Sequence, residues 1–340
     1  MTTTSSWMTD YVEMVEACDV HAATDFVVDL LDGGTPLHRI VEEVLVPAQL
    51  RVGQLWESGR WSVADEHVAT SITEAALSAL TYAATTRQSG SGRHVIVACA
   101  EGEWHSLPAR MAALVAGATG QVRVTMLGPS LPAEQLHQRL SAGDIDLLAL
   151  SCTMPTNLVG AVRCVAAAHD LGIPVIAGGR ALGDGPHRSR AIGADGWGKD
   201  AQTLLGPLPP LVGVSRDVPA EVLWLDGADG AHIDLAYDRM TAAFPRLHDM
   251  TSYEQDRTRE DLGWIVRHTA AALLTDDVRI VEDSLTWLVE RLRGFVAPEV
   301  ITTTAHLLAE TVEAQAPAGT AILHRAATTV ENTPRGAGSA

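Results

Sequence analysis

The chain has 340 residues, 46% of them hydrophobic, which is length and apolar content enough for two or three domains with buried cores. Its formal net charge of −18 repels nucleic-acid phosphate, and with no basic stripe or zinc-finger spacing to offset it, direct nucleic-acid binding is not expected. No apolar run is long enough to span a bilayer, and the polar start Met1-Thr-Thr-Thr-Ser-Ser6 lacks the character of an export signal, so a soluble cytoplasmic protein with no membrane partner is expected.

Residues 7–88 read as a small bundle of about four helices. Val12, Val15, Cys18, Ala22, Phe26, Leu30 and Leu31 recur at helical spacing until Gly33-Gly34 stops them. Thr35-Pro36 opens the next helix, whose apolar face is Leu37, Ile40, Val41, Val44 and Leu45; Pro47 kinks it before it resumes to Trp56. Ser62 caps a last helix that runs to about Ala84. From Arg93 the pattern changes. Val95–Ala98, Val122–Leu127, Leu147–Ser151 and Val175–Ala177 are short strand-like runs, separated by helical stretches near 107–119, 132–142 and 157–171. This alternation predicts a Rossmann-like parallel sheet over 92–205, with a ligand crevice at the carboxyl ends of its strands. Gly206-Pro-Leu-Pro-Pro210 opens a linker over 206–220. Residues 221–328 are again all-helical, at 231–244, 257–275, 278–293, 298–314 and 319–328, with breaks at Asp276-Asp277 and between Gly294 and Pro298. The small polar residues of 329–340 read as a disordered tail. The expected fold class is multidomain, α and α/β. Cys18, Cys99, Cys152 and Cys164 form no C-x-x-C pair and read as buried thiols. Eight Trp against three Phe and four Tyr suggest flat ligands to stack on, although Trp7, Trp197 and Trp224 read as core.

Two constellations carry chemistry. Glu103-Trp104-His105 follows the apolar run His94-Val-Ile-Val-Ala-Cys-Ala100, which puts an imidazole on the loop where a parallel strand ends. Neutral imidazole is a good ligand for cobalt, and a carboxylate two residues earlier can hold the other ring nitrogen and fix the tautomer. Upstream, Trp56, nine intervening residues and Glu66-His67 set a Trp, a carboxylate and a second imidazole near a helix junction. Ser151-Cys-Thr153 closes the third strand with hydroxyls suited to a buried slot, and Gly178-Gly179 closes the fourth with bare backbone that lets a bulky group lie close. Glu134-x-x-His137 occurs once and reads as a helix surface pair.

Taken in order, these motifs resemble the cobalamin-binding domains of methionine synthase type, whose pattern is D-x-H-x-x-G, then S-x-L or S-x-T, then G-G. The resemblance implies that His105 is the lower axial cobalt ligand, with Glu103 its hydrogen-bond partner and Trp104 beside it. Ser151, Thr153, Gly178 and Gly179 would line the slot for the nucleotide tail. Glu stands where that family has Asp, as in its light-sensing branch, and Pro108 stands where it has Gly, which fixes φ and bears on how the loop meets the corrin edge. Trp56, Glu66 and His67 resemble the cap of the light-responsive MerR-like repressors that use adenosylcobalamin. By that resemblance Trp56 covers the adenosyl group, Glu66 and His67 flank it, and His67 can reach cobalt after light. Residues 257–314, with LGWIVRHTAAALLTDDVRIVEDSLTWLVERLRGFV, resemble the globin-like domains called photoglobins, thought to bind a linear tetrapyrrole such as biliverdin; chains with both modules are called photocobilins.

Helical spacing gathers Asp261, Trp264, Ile265, His268 and Ala272 on one face, and Ser284, Trp287, Leu288 and Arg291 on one face of the next helix. Trp264, Arg267, His268, Trp287 and Arg291 are the candidate biliverdin contacts, non-covalent because no Cys lies beyond Cys164. Haem, held by His268 or His306, stays open as the alternative. The function expected is a light sensor rather than an enzyme, since no nucleophile–base set is present. Photolysis of the cobalt–carbon bond would change domain packing and a light-dependent homo-oligomer, and so signal to a separate downstream protein. The alternatives are a corrinoid carrier for methyl transfer and cobalamin storage.

Overall fold

Helix-capping residues divide the amino-terminal periodicity more finely than its apolar spacing suggests. In the computed structural model, which describes residues 4–85, 92–212, 217–228 and 230–333, the run from Val12 to Leu31 is two helices, α1 (Thr4–Glu16) and α2 (Val20–Asp32). The Asp19 carboxylate accepts the Ala22 N–H at 2.9 Å and so starts α2, while Cys18 turns left-handed at φ 55°. Cys18 is therefore exposed, not one of the buried thiols the spacing indicated. Next, α3 (Leu37–Ile40) passes through a π-helical turn, Val41–Leu45, into α4 (Val46–Glu57). The wide turn answers Pro47, which lacks an N–H and whose ring would collide with the carbonyl four residues back in a regular helix. Helix α5 (Val63–Thr85) begins with a reciprocal cap: the Asp65 N–H donates to the Ser62 hydroxyl, and the Ser62 N–H and O–H both donate to the Asp65 carboxylate. Tyr11, Ile40, Leu45, Leu77 and Leu80 fill the bundle core, together with Leu107, Met111 and Leu114 from the next segment.

That segment alternates β1 (Arg93–Cys99), α6 (Leu107–Gly117), β2 (Val122–Met126), α7 (Ala133–Ser141), β3 (Leu147–Ser151), α8 (Leu158–His169), β4 (Val175–Gly178), α9 (Pro186–Ala191) and β5 (Gly196–Gly198). All strands are parallel, in the order β2-β1-β3-β4-β5. Val95, Val97 and Cys99 enter one buried cluster and Ile96, Ala98 and Ala100 another, so helices cover both faces. The chain winds away from β1 in opposite directions to β2 and β3, which opens a crevice at their carboxyl ends. The register aligns Cys99 with Ser151 and Ser151 with Gly178, so three loops leave the sheet at one level. Strand β5 was not expected, because two of its three residues are glycine and show no apolar run.

The carboxyl-terminal region comprises α10 (Ala220–Asp226), α11 (Gly230–Ala243), α12 (Ser252–Thr275), α13 (Arg279–Arg291), α14 (Pro298–Val312) and α15 (Pro317–Asn332). The breaks fall where the sequence placed them, with Asp276 at φ 51° and Gly294 at φ 89°. Two expectations are corrected. Helix α10 was not among the expected helices: it starts at Ala220, the last residue of the expected linker, and buries Val222 and Leu225 fully, while α15 runs to Asn332, into the expected tail, with Val330 buried. Of the expected segments, positions 86–88, 213–216 and 334–340 lie outside the described residues. Val222, Leu225, Ile265 and Ala272 share one continuous core with Leu158, Val162 and Val165 of α8, so this region is seated on the sheet domain. Among the described residues no helix is long and apolar enough to cross a membrane.

Candidate functional site

The loop after β1 is built around one carboxylate. Gly102 takes φ 87°, and a Cβ there would come within 2.9 Å of Asn157 Oδ1, so the turn that returns Glu103 into the protein requires glycine. Glu103 is 0% exposed. Its Oε1 accepts the His105 backbone N–H at 2.9 Å and His105 Nδ1–H at 2.6 Å. Its Oε2 accepts the N–H groups of Thr153 at 2.7 Å and Met154 at 2.8 Å, and Asn157 Nδ2 at 3.1 Å. Burial alone would raise this carboxyl, but the bonds from His105, Met154 and Thr153 outweigh it and hold it at about 2. A carboxylate surrounded by donors fixes His105 with its proton on Nδ1, which leaves the Nε2 lone pair for a metal. The Glu103 hydrogen bond raises the His105 pKa against the opposing effect of burial, and the charges of Glu103 and Glu66 add to it. The His105 side chain is 57% exposed and Trp104 is 73% exposed. Pro108 lies in the first turn of α6, where its missing N–H costs nothing, so the departure from the family's Gly is absorbed by a helix start.

On the cap side, Glu66 accepts the Thr70 hydroxyl at 2.8 Å, and His67 Nε2 lies 3.6 Å from Glu66 Oε2 with its side chain 74% exposed. Trp56 ends α4, and its Nε1 is buried with no hydrogen-bond partner. On the sheet side, Ser151 is buried at the end of β3, and Thr153 Oγ1 is a second buried polar atom with no partner. Gly179 has φ 104°, and a Cβ on it would meet the Cys152 carbonyl at 2.4 Å; one on Gly178 would meet the Gly198 carbonyl at 2.5 Å. Neighbouring backbone thus already demands both glycines, a reason the sequence did not reveal.

These residues fit a cofactor that brings its metal and most of its ligands with it. Among the described residues no group of three or more His, Cys, Asp or Glu could hold a bare ion. Burial pushes the Cys99 thiol up to about 12 and Cys164 to about 11, and raises Cys152 well above its ordinary value, so none offers a thiolate. One oriented imidazole on the sheet, a Trp and a second imidazole on the cap, and orphaned polar atoms on both sides suit a large planar metal complex with a polar tail.

Sequence reasoning missed Asn157, the Thr153 and Met154 amides, and Arg163, which holds Glu101 of the same loop at 3.2 Å and Asp226 of α10 at 3.9 Å. Backbone donors leave no mark in residue type; Asn157, just past the strand-ending Ser-Cys-Thr, was the findable one. The five candidate biliverdin contacts do not assemble as one cleft. His268 is 7% exposed; its Nδ1–H donates to the Trp264 carbonyl at 2.8 Å, and burial lowers its pKa, so it is neutral. Trp264 lies 6.1 Å from it, centroid to centroid, and Arg267 is exposed. Trp287 and Arg291 instead meet Trp56: the indole centroids are 5.8 Å apart at 30°, and Arg291 Cζ lies 5.7 Å from the Trp56 ring centroid. A cavity of about 500 Å³ opens elsewhere in this region, lined by His187, Asp277, Arg279 and Arg325 among others. His306, the other candidate haem ligand, has Nδ1 2.7 Å from His324 Nδ1.

Comparison with known proteins agrees with this geometry. Residues 7–81 and residues 93–205 each match a family described as B12 binding domain. The HTH-type transcriptional repressor CarH of Myxococcus xanthus is 35% identical over 146 residues, 43% of this chain; the match spans 47% of that relative's length. The monomethylamine corrinoid protein of Methanosarcina barkeri aligns with a TM-score of 0.51 at 19% identity, over 60% of this chain and 97% of its own, which shows a common fold. Residues 7–81 and 93–205 are therefore two consecutive B12-binding domains, a helical cap and a Rossmann-like sheet, and they give the chain a cobalamin-binding role.

Proposed function

We propose that the chain is a light sensor, not an enzyme, which holds adenosylcobalamin between the helical cap and the sheet. The observation that carries the reading is His105, locked by Glu103 with Nε2 left over, in a chain whose preceding helical domain carries Trp56, with its Nε1 buried and unpartnered, and the Glu66–His67 pair. The identity to the CarH repressor supports it. When bound, the cofactor supplies a cobalt–carbon bond that visible light breaks. His105 offers Nε2 from below, and Glu103 keeps the opposite ring nitrogen protonated. Trp104, Ser151, Thr153, Gly178 and Gly179 line the site on the sheet side. Trp56 shields the upper ligand, and the exposed His67 is free to turn toward the same face once that ligand has gone. Loss of contacts to the upper ligand then shifts the packing of the cap, which alters assembly between copies and signals to a separate protein.

The carboxyl-terminal helices take a linear tetrapyrrole such as biliverdin in a globin-like arrangement. This part of the reading rests on the resemblance of residues 257–314 to photoglobins, with the exposed Trp264 and Arg267 as the side chains open to a ligand. Sedimentation of the full chain loaded with adenosylcobalamin, in the dark and after green light, tests the proposal: a change in sedimentation coefficient is expected. An unchanged coefficient, together with ready methylation of the bound corrinoid by a methyl donor enzyme, would make the chain a corrinoid carrier instead.

A further inference from the structure

The contact between Trp56 and α13 joins residues 231 positions apart in sequence and links the cap to the carboxyl-terminal region. Trp287 and Arg291 stand four residues apart, on one face of α13. The adjoining stripe of that helix, with Val281, Leu285 and Leu288, is buried in the carboxyl-terminal core. The helix is therefore a fixed support, and the pair reaches out from it. Tilted indoles at 5.8 Å and a guanidinium over an indole face are attractive arrangements, each beyond simple area burial. Trp56 Nε1 is buried without a partner, so its own hydrogen bonding does not fix the ring; Trp287 and Arg291 do. The same region touches the other face of the site. Helix α12, joined to α13 through Asp276 and Asp277, packs on the turn Pro155–Asn157, and Asn157 donates to Glu103 beneath His105. The α12–α13 pair thus contacts both Trp56 on the cap and the Asn157 turn that holds Glu103.

Resting on the cobalamin reading above, we infer that Trp287 and Arg291 are positioning residues that hold Trp56 over the upper face, and that through this contact the carboxyl-terminal helices register which upper ligand is present. A bulky upper ligand presses on Trp56 and sets its approach to Trp287; a small one releases it. The contact couples the position of Trp56 to α13, and the coupling is reciprocal. Substituting α13 must change the preference among upper ligands, and substituting Trp56 must loosen α13.

Hydrogen exchange on the cofactor-free full chain reads the contact directly. Trp56→Ala is expected to speed exchange of the amides in 281–291 roughly tenfold, the worth of one aromatic pair with one cation–π contact, and Trp56→Phe to restore most of the protection. Exchange in 281–291 unchanged by Trp56→Ala would overturn the contact. The second readout is the ratio of affinities for adenosylcobalamin and hydroxocobalamin. Trp287→Ala is expected to lower that ratio several-fold, Arg291→Lys to lower it less, and Trp56→Ala/Trp287→Ala to lower it no further than Trp56→Ala alone. A ratio unchanged by Trp287→Ala would overturn the coupling. If the unsubstituted chain took up neither cobalamin, the cobalamin reading itself would fall, and the exchange data would still decide whether α13 holds Trp56.

Discussion

The two sides of the candidate site are built in opposite ways. Beneath, Glu103 is fully buried, receives five hydrogen bonds from two loops and fixes His105. Above, Glu66 keeps one side-chain hydrogen bond from Thr70, His67 is largely exposed, and Trp56 is braced from another domain. The His105 side is preorganised and the cap side is adjustable, as the proposed exchange of an upper ligand on a retained cofactor requires. Low local constraint is also where conformational change is cheapest.

The largest effect expected is from Glu103→Ala. It leaves five donors around an emptied buried space, and the loss of stability should be about 3–5 kcal/mol, measured by urea unfolding of the cofactor-free chain. Glu103→Gln keeps the shape but loses the charge that fixes the Nδ1–H tautomer, so cobalamin affinity should fall roughly 10–100-fold with the fold intact, measured by equilibrium binding. If Glu103→Gln bound as tightly as the unsubstituted chain, the lower face would not be preorganised by this carboxylate. At a third junction, Asp277 accepts Arg188 from α9 and Arg279 from α13. Burial would raise the Asp277 carboxyl, but the bonds from the two arginines hold it at about 2. A depressed folded-state pKa means stability present above the ordinary Asp value near 3.9 and lost as pH falls from there toward 2. Asp277→Asn should flatten that acid limb of the stability profile while leaving neutral-pH cobalamin spectra unchanged. The smallest effect belongs to the upper face: His67→Ala should barely change dark-state affinity for adenosylcobalamin and should alter only the absorption spectrum after illumination.

The same contrast governs what could be read from sequence. The parallel sheet was legible because each strand but β5 is a short β-branched or apolar run, and Glu103 and His105 stood out because they follow such a strand in company with Ser151-Cys-Thr153 and Gly178-Gly179. Asn157 and the amides of Thr153 and Met154 were not, since a backbone donor is independent of its side chain. The division of α1 from α2 was hidden because Cys18 keeps the apolar rhythm while Asp19 supplies a cap. Trp287 and Arg291 were found as one face of a helix, yet periodicity says which residues share a face and not what the face meets. Their meeting with Trp56 is a tertiary fact with no local signal.

The most direct test of the account is the absorption spectrum of the full chain with adenosylcobalamin and biliverdin, in the dark and after green light, beside the His105→Ala and His67→Ala variants. Bands of both pigments are expected, with irreversible conversion of the cobalamin bands on illumination, a dark spectrum altered only by His105→Ala and a lit spectrum altered by His67→Ala. A cobalamin spectrum that is unchanged by light, and the same in the His67→Ala variant, would contradict the claim that the upper face is the one built to change.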